Sequence, residues 1–100
     1  MTDLVLRQSG RPDELTIHVA GEIDGATAPT LEQALLKALA SAPRRLLIDA
    51  AEVTFCDSRG IAAFVAAWRA ATTTSLSLRP SPRLRRVLTL SGIDTLLDLI

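Results

Sequence analysis

The residues best suited to chemistry lie in one short polar turn, Cys56-Asp57-Ser58-Arg59-Gly60, between two apolar stretches. Asp57 and Ser58 are residue types that cap helices, because a side-chain oxygen accepts an N–H group that the first helical turn leaves unpaired. A cap of this kind is typically worth ~1 kcal/mol. The Ser58 hydroxyl is also a candidate phosphorylation site, since a phosphoryl group there would meet free N–H donors and the positive end of the helix dipole. The turn alone favours the cap and leaves modification open.

Nucleophilic catalysis has weak support in this sequence. Ser58 and Cys56 are candidate nucleophiles, but a triad also needs a base and an orienting group. The one histidine, His18, lies on the polar side of a predicted strand, two elements before the turn. A lone imidazole is far more often a surface residue than an acid or base. We therefore expect no catalytic residue, and Cys56 is expected to pack as a small apolar side chain.

Metal and cofactor sites are also poorly supported. Asp24, Asp49 and Asp57 are all predicted at strand ends and could hold a divalent ion. Aspartates at such positions mostly cap helices or form turns, so we expect no metal. The five glycines are scattered, and none belongs to a phosphate-binding loop followed by Lys-Ser or Lys-Thr. The chain is thus expected to bind neither ATP nor another cofactor, and a kinase acting on Ser58 would be a different polypeptide.

A local basic patch of four arginines raises the question of nucleic acid. It consists of Arg79, Arg83, Arg85 and Arg86. The formal net charge is zero, however, and only 3% of residues are aromatic, so stacking residues are nearly absent. These arginines are better interpreted as a solvated helix face or a docking surface than as a nucleic-acid site.

A buried strand and an apolar helix must position the polar turn. Residues 46–48 form a short apolar run typical of a strand buried on both faces, which we predict to end at Asp49. After the turn, apolar side chains recur at the i, i+3, i+4, i+7 spacing of a helix stripe. This stripe, predicted to be core, consists of Ile61, Phe64, Val65 and Trp68. Gly60 is expected to relieve crowding in the first turn of the helix.

The N-terminal half predicts a hairpin followed by a βαβ unit. Residues 4–6 form a short strand, residues 9–13 supply a turn, and residues 15–23 alternate apolar and polar side chains as a second strand does. A helix capped by Thr27 or Thr30 then leads to the 46–48 strand. Parallel pairing of the flanking strands is the strong default for such a unit.

The C-terminal half predicts one more strand and one more helix. Residues 76–79 alternate as a short strand, and residues 80–82 open a helix that Gly92 closes. Leu84, Val87 and Leu88 are expected to face inward. Residues 96–100 are expected to form a last short strand or the start of a helix.

Length and composition limit the class of protein. One hundred residues, 48% of them hydrophobic, predict a single domain over residues 1–100. The single cysteine excludes an internal disulfide and favours a reducing compartment. The N-terminus lacks the layout of a secretory signal, and no apolar run approaches the ~20 residues of a membrane span. We therefore expect a cytoplasmic protein without membrane insertion.

Three segments together resemble the STAS domain family, which includes anti-sigma factor antagonists and domains of anion transporters and sensors. LLIDAAEVTFCDSRGIAAFVAAWRAA at 46–71 resembles its central motif, and the Asp57-Ser58-x-Gly60 turn is the most specific part. HVAGEIDGATAPTLEQAL at 18–35 and PSPRLRRVLTLSGI at 80–93 resemble its first and third motifs. The resemblance implies an α/β fold: a mixed sheet of four to five short strands, with about three to four helices packed largely on one face.

The resemblance also implies a switch in which Ser58 is the phosphorylated residue. Its partner would be an anti-sigma factor that is also a serine kinase and binds the ATP, with a phosphatase as a further partner. The unphosphorylated domain would capture that kinase and free a sigma factor, and phosphorylation would release it. The partner-binding residues carried over are Asp24, Asp57, Ser58, Arg59 and Gly60. Arg59 departs from the family, which usually has Ser or Thr there, and an arginine could pair with the phosphate or alter partner choice.

The alternative is a STAS subunit that is never phosphorylated. It would act as a structural or regulatory component of a transport or sensory complex, and the turn around Ser58 would be only a docking surface. A phosphomimetic without effect on binding would favour this alternative.

Overall fold

The computed structural model describes residues 3–100, which contain five strands and three α-helices. In chain order these elements are β1 (Leu4–Arg11), β2 (Glu14–Ile23), α1 (Ala28–Ala40), β3 (Arg45–Cys56), α2 (Ser58–Ala70), β4 (Ser75–Pro80), α3 (Pro82–Leu90) and β5 (Asp98–Leu99), with a 3₁₀ turn at Ile93–Thr95. The strand order in the sheet is β1-β2-β3-β4-β5. The predicted α/β class and strand number are confirmed.

The sheet is mixed, as predicted. β1 pairs antiparallel with β2, and the other neighbouring strands pair in parallel. The hairpin turn is shorter than the predicted 9–13 segment, because β1 continues to Arg11. Gly10 makes this possible: it has a φ of +98°, and a Cβ there would collide with the backbone oxygen of Glu14.

The core lies between the helices and one face of the sheet. The period of two in β2 buries Leu15, Ile17 and Val19 on that face and leaves Thr16 and His18 on the other. From the remaining elements, fully buried side chains include Leu31, Leu35, Leu46, Ile48, Phe64, Leu78, Leu84 and Leu88. Leu84 and Leu88 thus face inward as predicted, and Val87 is half-buried.

β3 is much longer than the sequence suggests. It was predicted to end at Asp49, but it runs to Cys56 and buries Ala50, Val53 and Cys56 in turn. Two register shifts against β2 interrupt the strict alternation, and the burial period of two is lost beyond Ala50. Asp49 therefore lies in the middle of a strand, and the prediction of three aspartates at strand ends is wrong for this residue.

α2 packs through a narrower stripe than predicted. Ile61 and Phe64 are buried, but the other buried positions are Gly60, Ala63 and Ala67. Trp68, predicted in the core, is 42% exposed. One position beyond Ala67 turns a side chain by about 100° around a helix, which directs the indole away from the buried stripe. The small side chains let the helix lie close to its neighbours.

Of the two alternatives expected for residues 96–100, the structure contains the short strand, β5 (Asp98–Leu99). Gly92 follows α3 with a φ of +73°, the left-handed conformation that ends many helices. A single 3₁₀ turn follows, and then the two-residue strand β5 pairs with β4. Within residues 3–100, no helix is both long and apolar enough to cross a membrane.

Candidate functional site

The polar turn lies at the carboxyl ends of two parallel strands. β3 ends at Cys56, and Ser58 is the first residue of α2. The backbone N–H of Asp57 donates to the carbonyl of Ile23 at 3.1 Å, so the turn is fixed to the end of β2. The Ser58 side chain is exposed. A modifying enzyme can therefore reach this hydroxyl without any unfolding.

Asp57, and not Ser58, caps α2. Its Oδ1 accepts the backbone N–H groups of Arg59 at 2.9 Å and Gly60 at 3.3 Å. Its carbonyl accepts the first helical bond, from Ile61, at 3.1 Å. No hydrogen bond to the Ser58 hydroxyl is present among residues 3–100. Asp57 is therefore the helix cap, and Ser58, which has no part in holding the helix, is left as the candidate phosphorylation site.

This division corrects one expectation about phosphate binding. The sequence predicted that a phosphoryl group on Ser58 would meet free N–H donors, but those of Arg59 and Gly60 already bind the Asp57 carboxylate. A phosphate would instead lie beside a carboxylate of like charge. Phosphorylation should therefore place strong negative charge on the surface rather than draw it into the helix terminus.

Separate substitutions of the two residues should show this division. Asp57→Ala is expected to lower the free energy of unfolding by about 1 kcal/mol, within the 0.5–2 kcal/mol range for lost caps. Ser58→Ala should change it by less than about 0.5 kcal/mol, as exposed substitutions usually do. Urea denaturation followed by circular dichroism measures both. Equal losses for the two variants would contradict the assignment of the cap.

Gly60 lets the first turn of α2 approach the sheet. A Cβ atom at this position would lie 2.5 Å from Sγ of Cys56 and 2.6 Å from Cγ2 of Ile23. Both distances are shorter than side chains tolerate, so a larger residue would push the helix terminus outward. The predicted role of Gly60 is thus confirmed, with the crowding now assigned to Cys56 and Ile23.

Asp24 organises the neighbouring loop between β2 and α1. Its Oδ1 accepts the N–H groups of Ala26 at 2.9 Å and Thr27 at 3.2 Å. Thr27 occupies the N-cap position of α1 but makes no side-chain cap bond to the helix. Its hydroxyl instead donates to the carbonyl of Glu22 at 2.9 Å. The loop that carries Asp24 is therefore held in one shape by its own hydrogen bonds.

Arg59 joins this loop to the turn. Its guanidinium lies against Gly25, where any Cβ would collide with Nη1 of the arginine. Arg59 and Gly25 line a shallow groove of about 440 Å³ between the N-terminal turns of α1 and α2, together with Ala28, Pro29, Glu32, Gln33 and Ala62. Arg59 has no ion pair within residues 3–100. Because the contact between Arg59 and Gly25 holds the two loops side by side, the five residues predicted to bind a partner all lie at one end of the sheet.

Sequence reasoning missed the contact between Gly25 and Arg59. The two residues are far apart in the chain, and neither belongs to a periodic pattern that would pair them. Only the parallel arrangement of β2 and β3 brings their loops together. The lack of a side chain at Gly25 was the one available signal.

Cys56 is not an activated nucleophile. Burial raises the pKa of its thiol from 9.0 to about 12, and the Asp57 carboxylate adds to the increase. The thiol donates a long hydrogen bond of 3.5 Å to the carbonyl of Asp57. Reactive cysteines have lowered pKa values and partial exposure, so Cys56 is of the opposite kind.

The thiol is expected to resist modification at neutral pH. Labelling by a thiol reagent at pH 7 should be at least about tenfold slower in the folded protein than in denaturant. Absorbance of the chromophore that the reagent releases measures the labelling rate, and equal rates with and without denaturant would contradict the assignment.

The raised pKa of the Cys56 thiol also makes stability depend on pH. Its contribution to the stability of the fold is fully present below pH 9.0 and is lost as the pH rises through about 12.

The lone histidine lies away from the turn, in a polar row on the open face of the sheet. Its Nε2 lies 3.1 Å from Oγ of Ser9, and its Nδ1 lies 3.6 Å from Oδ2 of Asp49. Asp49 also binds Nη1 of Arg79 at 3.2 Å. This order of groups resembles a catalytic triad, but all three side chains belong to strands of the sheet, away from the polar turn. The row is a cross-strand surface network.

Comparison with known proteins identifies similar chains. The family model described as "Mlab, STAS domain" matches residues 6–98. The anti-sigma-B factor antagonist of Listeria monocytogenes is 33% identical over 90 residues, which is 87% of this chain and 79% of that protein. A solved anti-sigma factor antagonist from Mycobacterium paratuberculosis is 30% identical, with a TM-score of 0.90 over 97% of this chain and 85% of that chain.

SpoIIAA, an anti-sigma factor antagonist and Bacillus cell fate determinant, shares the fold in two solved states. The unphosphorylated form has a TM-score of 0.79 at 19% identity, over 96% of this chain and 88% of that chain. The phosphorylated form has a TM-score of 0.72 at 18% identity, over 96% of this chain and 91% of that chain. The architecture of residues 3–100 is thus that of these solved domains.

Proposed function

Because this chain belongs to the STAS domain family, we propose that it is a phosphorylation-switched regulator that binds an anti-sigma factor. In its unphosphorylated form it sequesters an anti-sigma factor with serine kinase activity and frees a sigma factor. Phosphorylation of Ser58 releases that kinase. The observation that carries the proposal is the exposed Ser58 hydroxyl, which has no structural task and lies at the helix terminus that Asp57 caps.

The relatives support this proposal by what they are named. The Listeria and Mycobacterium proteins are anti-sigma factor antagonists, and SpoIIAA exists with and without phosphate. In our proposal the present chain acts as a single domain in the cytoplasm and contacts neither nucleic acid nor membrane. The kinase supplies the ATP, a phosphatase resets the switch, and the domain itself catalyses nothing.

The switch follows from charge at the surface. A phosphoryl group adds about −1.5 to −2 charges near neutral pH. On Ser58 it adds this charge beside Asp57, at the same end of the sheet as the Asp24 loop. A partner seated there would face repulsion and an unfavourable desolvation of the phosphate. No change of fold is needed, because both loops are held by their own hydrogen bonds.

Arg59 is proposed to adjust partner choice. Its guanidinium fills the space over Gly25, between the two loops of the proposed interface. We expect Arg59→Ser, which restores the residue type usual in the family, to change stability by less than about 0.5 kcal/mol because the side chain is exposed. Affinity for the natural kinase should fall by about three- to tenfold, as for loss of one interfacial charge. Isothermal titration calorimetry measures this change, and unaltered affinity would remove Arg59 from the interface.

Phosphosite mapping tests the function itself. The purified protein is incubated with ATP and each anti-sigma factor kinase of its source organism, and the product is mapped by mass spectrometry. One phosphate, on Ser58, is expected. Ser58→Ala should abolish the reaction, and Ser75→Ala, at another exposed serine, should not. Absence of phosphate on Ser58 with every kinase would instead favour the unphosphorylated STAS subunit.

A further inference from the structure

α3 carries a second stripe of side chains that the core covers only in part, at Val87. Arg83, Arg86, Val87 and Leu90 follow the i, i+3, i+4, i+7 spacing that places residues on one side of a helix. Such a stripe normally faces a neighbouring element. Here Leu90 is 82% exposed and both arginines are exposed. The helix thus presents an unpartnered amphipathic side to solvent.

This side of α3 forms one wall of a groove, and the end of β3 forms the other. Phe55 stands opposite the helix and is 42% exposed. The groove measures about 530 Å³ and is completed by Cys56 and Pro82. Exposed apolar residues that are grouped in a concave surface mark binding sites more often than scattered ones do. The groove therefore has the form of a site for apolar side chains.

The charge of the groove indicates what would bind. Arg83 and Arg86 line it, and neither has an ion pair in the described part of the chain. The other two arginines of the basic patch are engaged: Arg79 binds Asp49, and Arg85 donates to the carbonyl of Ile100. Two unpaired guanidinium groups beside an apolar floor complement carboxylates that are interspersed with apolar residues.

We propose that this groove is a docking site for an acidic amphipathic segment of another protein. Apolar side chains of that segment lie between Phe55 and Leu90, and its carboxylates bind Arg83 and Arg86. The groove borders the polar turn at Cys56, but Ser58 does not line it. It gives the basic patch a role in protein binding rather than in nucleic-acid binding.

An NMR titration with a defined probe tests this proposal. The probe is a 15-residue synthetic peptide with Leu at the i, i+3, i+4, i+7 positions, Glu at four flanking positions and Ala elsewhere to favour a helix, and the control peptide has Lys in place of Glu. Addition of the acidic peptide to the ¹⁵N-labelled protein should shift the amides of Phe55, Arg86 and Leu90 in a saturable way. The basic peptide should cause no saturable shift. The proposal would be overturned if the shifts did not saturate by about 1 mM acidic peptide, because the free energy of binding would then be weaker than about −4 kcal/mol.

Charge-reversed variants give a second, independent readout. The double variant Arg83→Glu/Arg86→Glu should weaken peptide binding by at least about tenfold. Arg85→Glu, a single charge reversal on another side of the helix, should have less than about a twofold effect. Similar losses for Arg85→Glu would overturn the assignment. So would tighter binding of a single-stranded oligonucleotide than of the peptide.

Discussion

A phosphoserine at position 58 is expected to weaken binding to the anti-sigma factor kinase by at least about 100-fold, or about 2.7 kcal/mol. The loss is large because the hydroxyl is exposed at the centre of the proposed interface and Asp57 lies beside it. A dianion there must either lose its water on binding or hold the partner away. Ser58→Asp should reproduce part of the effect, since it adds one charge rather than two.

The loss should be local, and this can be measured separately. The Ser58 hydroxyl makes no bond that holds α2, so the midpoint of urea denaturation should be nearly the same in both forms. Ser75→Asp, with the same added charge at an exposed position on β4, should keep the affinity within about twofold, because Ser75 lies outside the proposed interface. A phosphomimetic that unfolds the domain, or a Ser75→Asp variant that binds as weakly, would contradict a local switch.

Phe64→Ala is expected to cause the largest loss of stability, about 3–5 kcal/mol. Phe64 is 0% exposed and is the largest of the fully buried side chains. Its removal leaves a cavity under α2, the helix that presents Ser58. Domains of this size are stable by about 5–15 kcal/mol, so this loss removes a large fraction of the total stability.

Urea denaturation followed by circular dichroism measures this loss, and Trp68 provides the matched control. Trp68 lies one helical turn later on α2, but it is 42% exposed. Trp68→Ala should therefore cost less than half of what Phe64→Ala costs, since less of the side chain leaves the solvent on folding. A larger loss for Trp68→Ala would show that Trp68 belongs to the core, as the sequence predicted.

The hydrophobic pattern of the sequence predicted strand β2 and the parallel pairing that follows it. The alternation in β2 identified both its length and its buried face, and the helix following it required a parallel return to β3. The length of β3 was not predictable in this way. After Asp49 its residues follow two register shifts, which depend on the partner strand and leave no period in the sequence.

The sequence predicted which residues belong to the candidate site, but it did not predict which of them caps the helix. Asp57 and Ser58 are both good cap residues, and no local property decides which one turns its oxygen toward the helix. The structure decides in favour of Asp57, because the backbone bond of Asp57 to Ile23 sets its orientation. The contact of Arg59 with Gly25 depends on two loops meeting at one edge of the sheet, which lies beyond any local pattern.

The central claim is that one phosphate on Ser58 decides whether the partner stays bound. The most direct test is a calorimetric titration of the kinase into protein that carries phosphoserine at position 58. One preparation is measured before and after phosphatase treatment, with ADP rather than ATP present so that the kinase adds no new phosphate. We expect no saturable heat before treatment and full, stoichiometric binding after it. Equal affinities before and after removal of the phosphate would contradict the account.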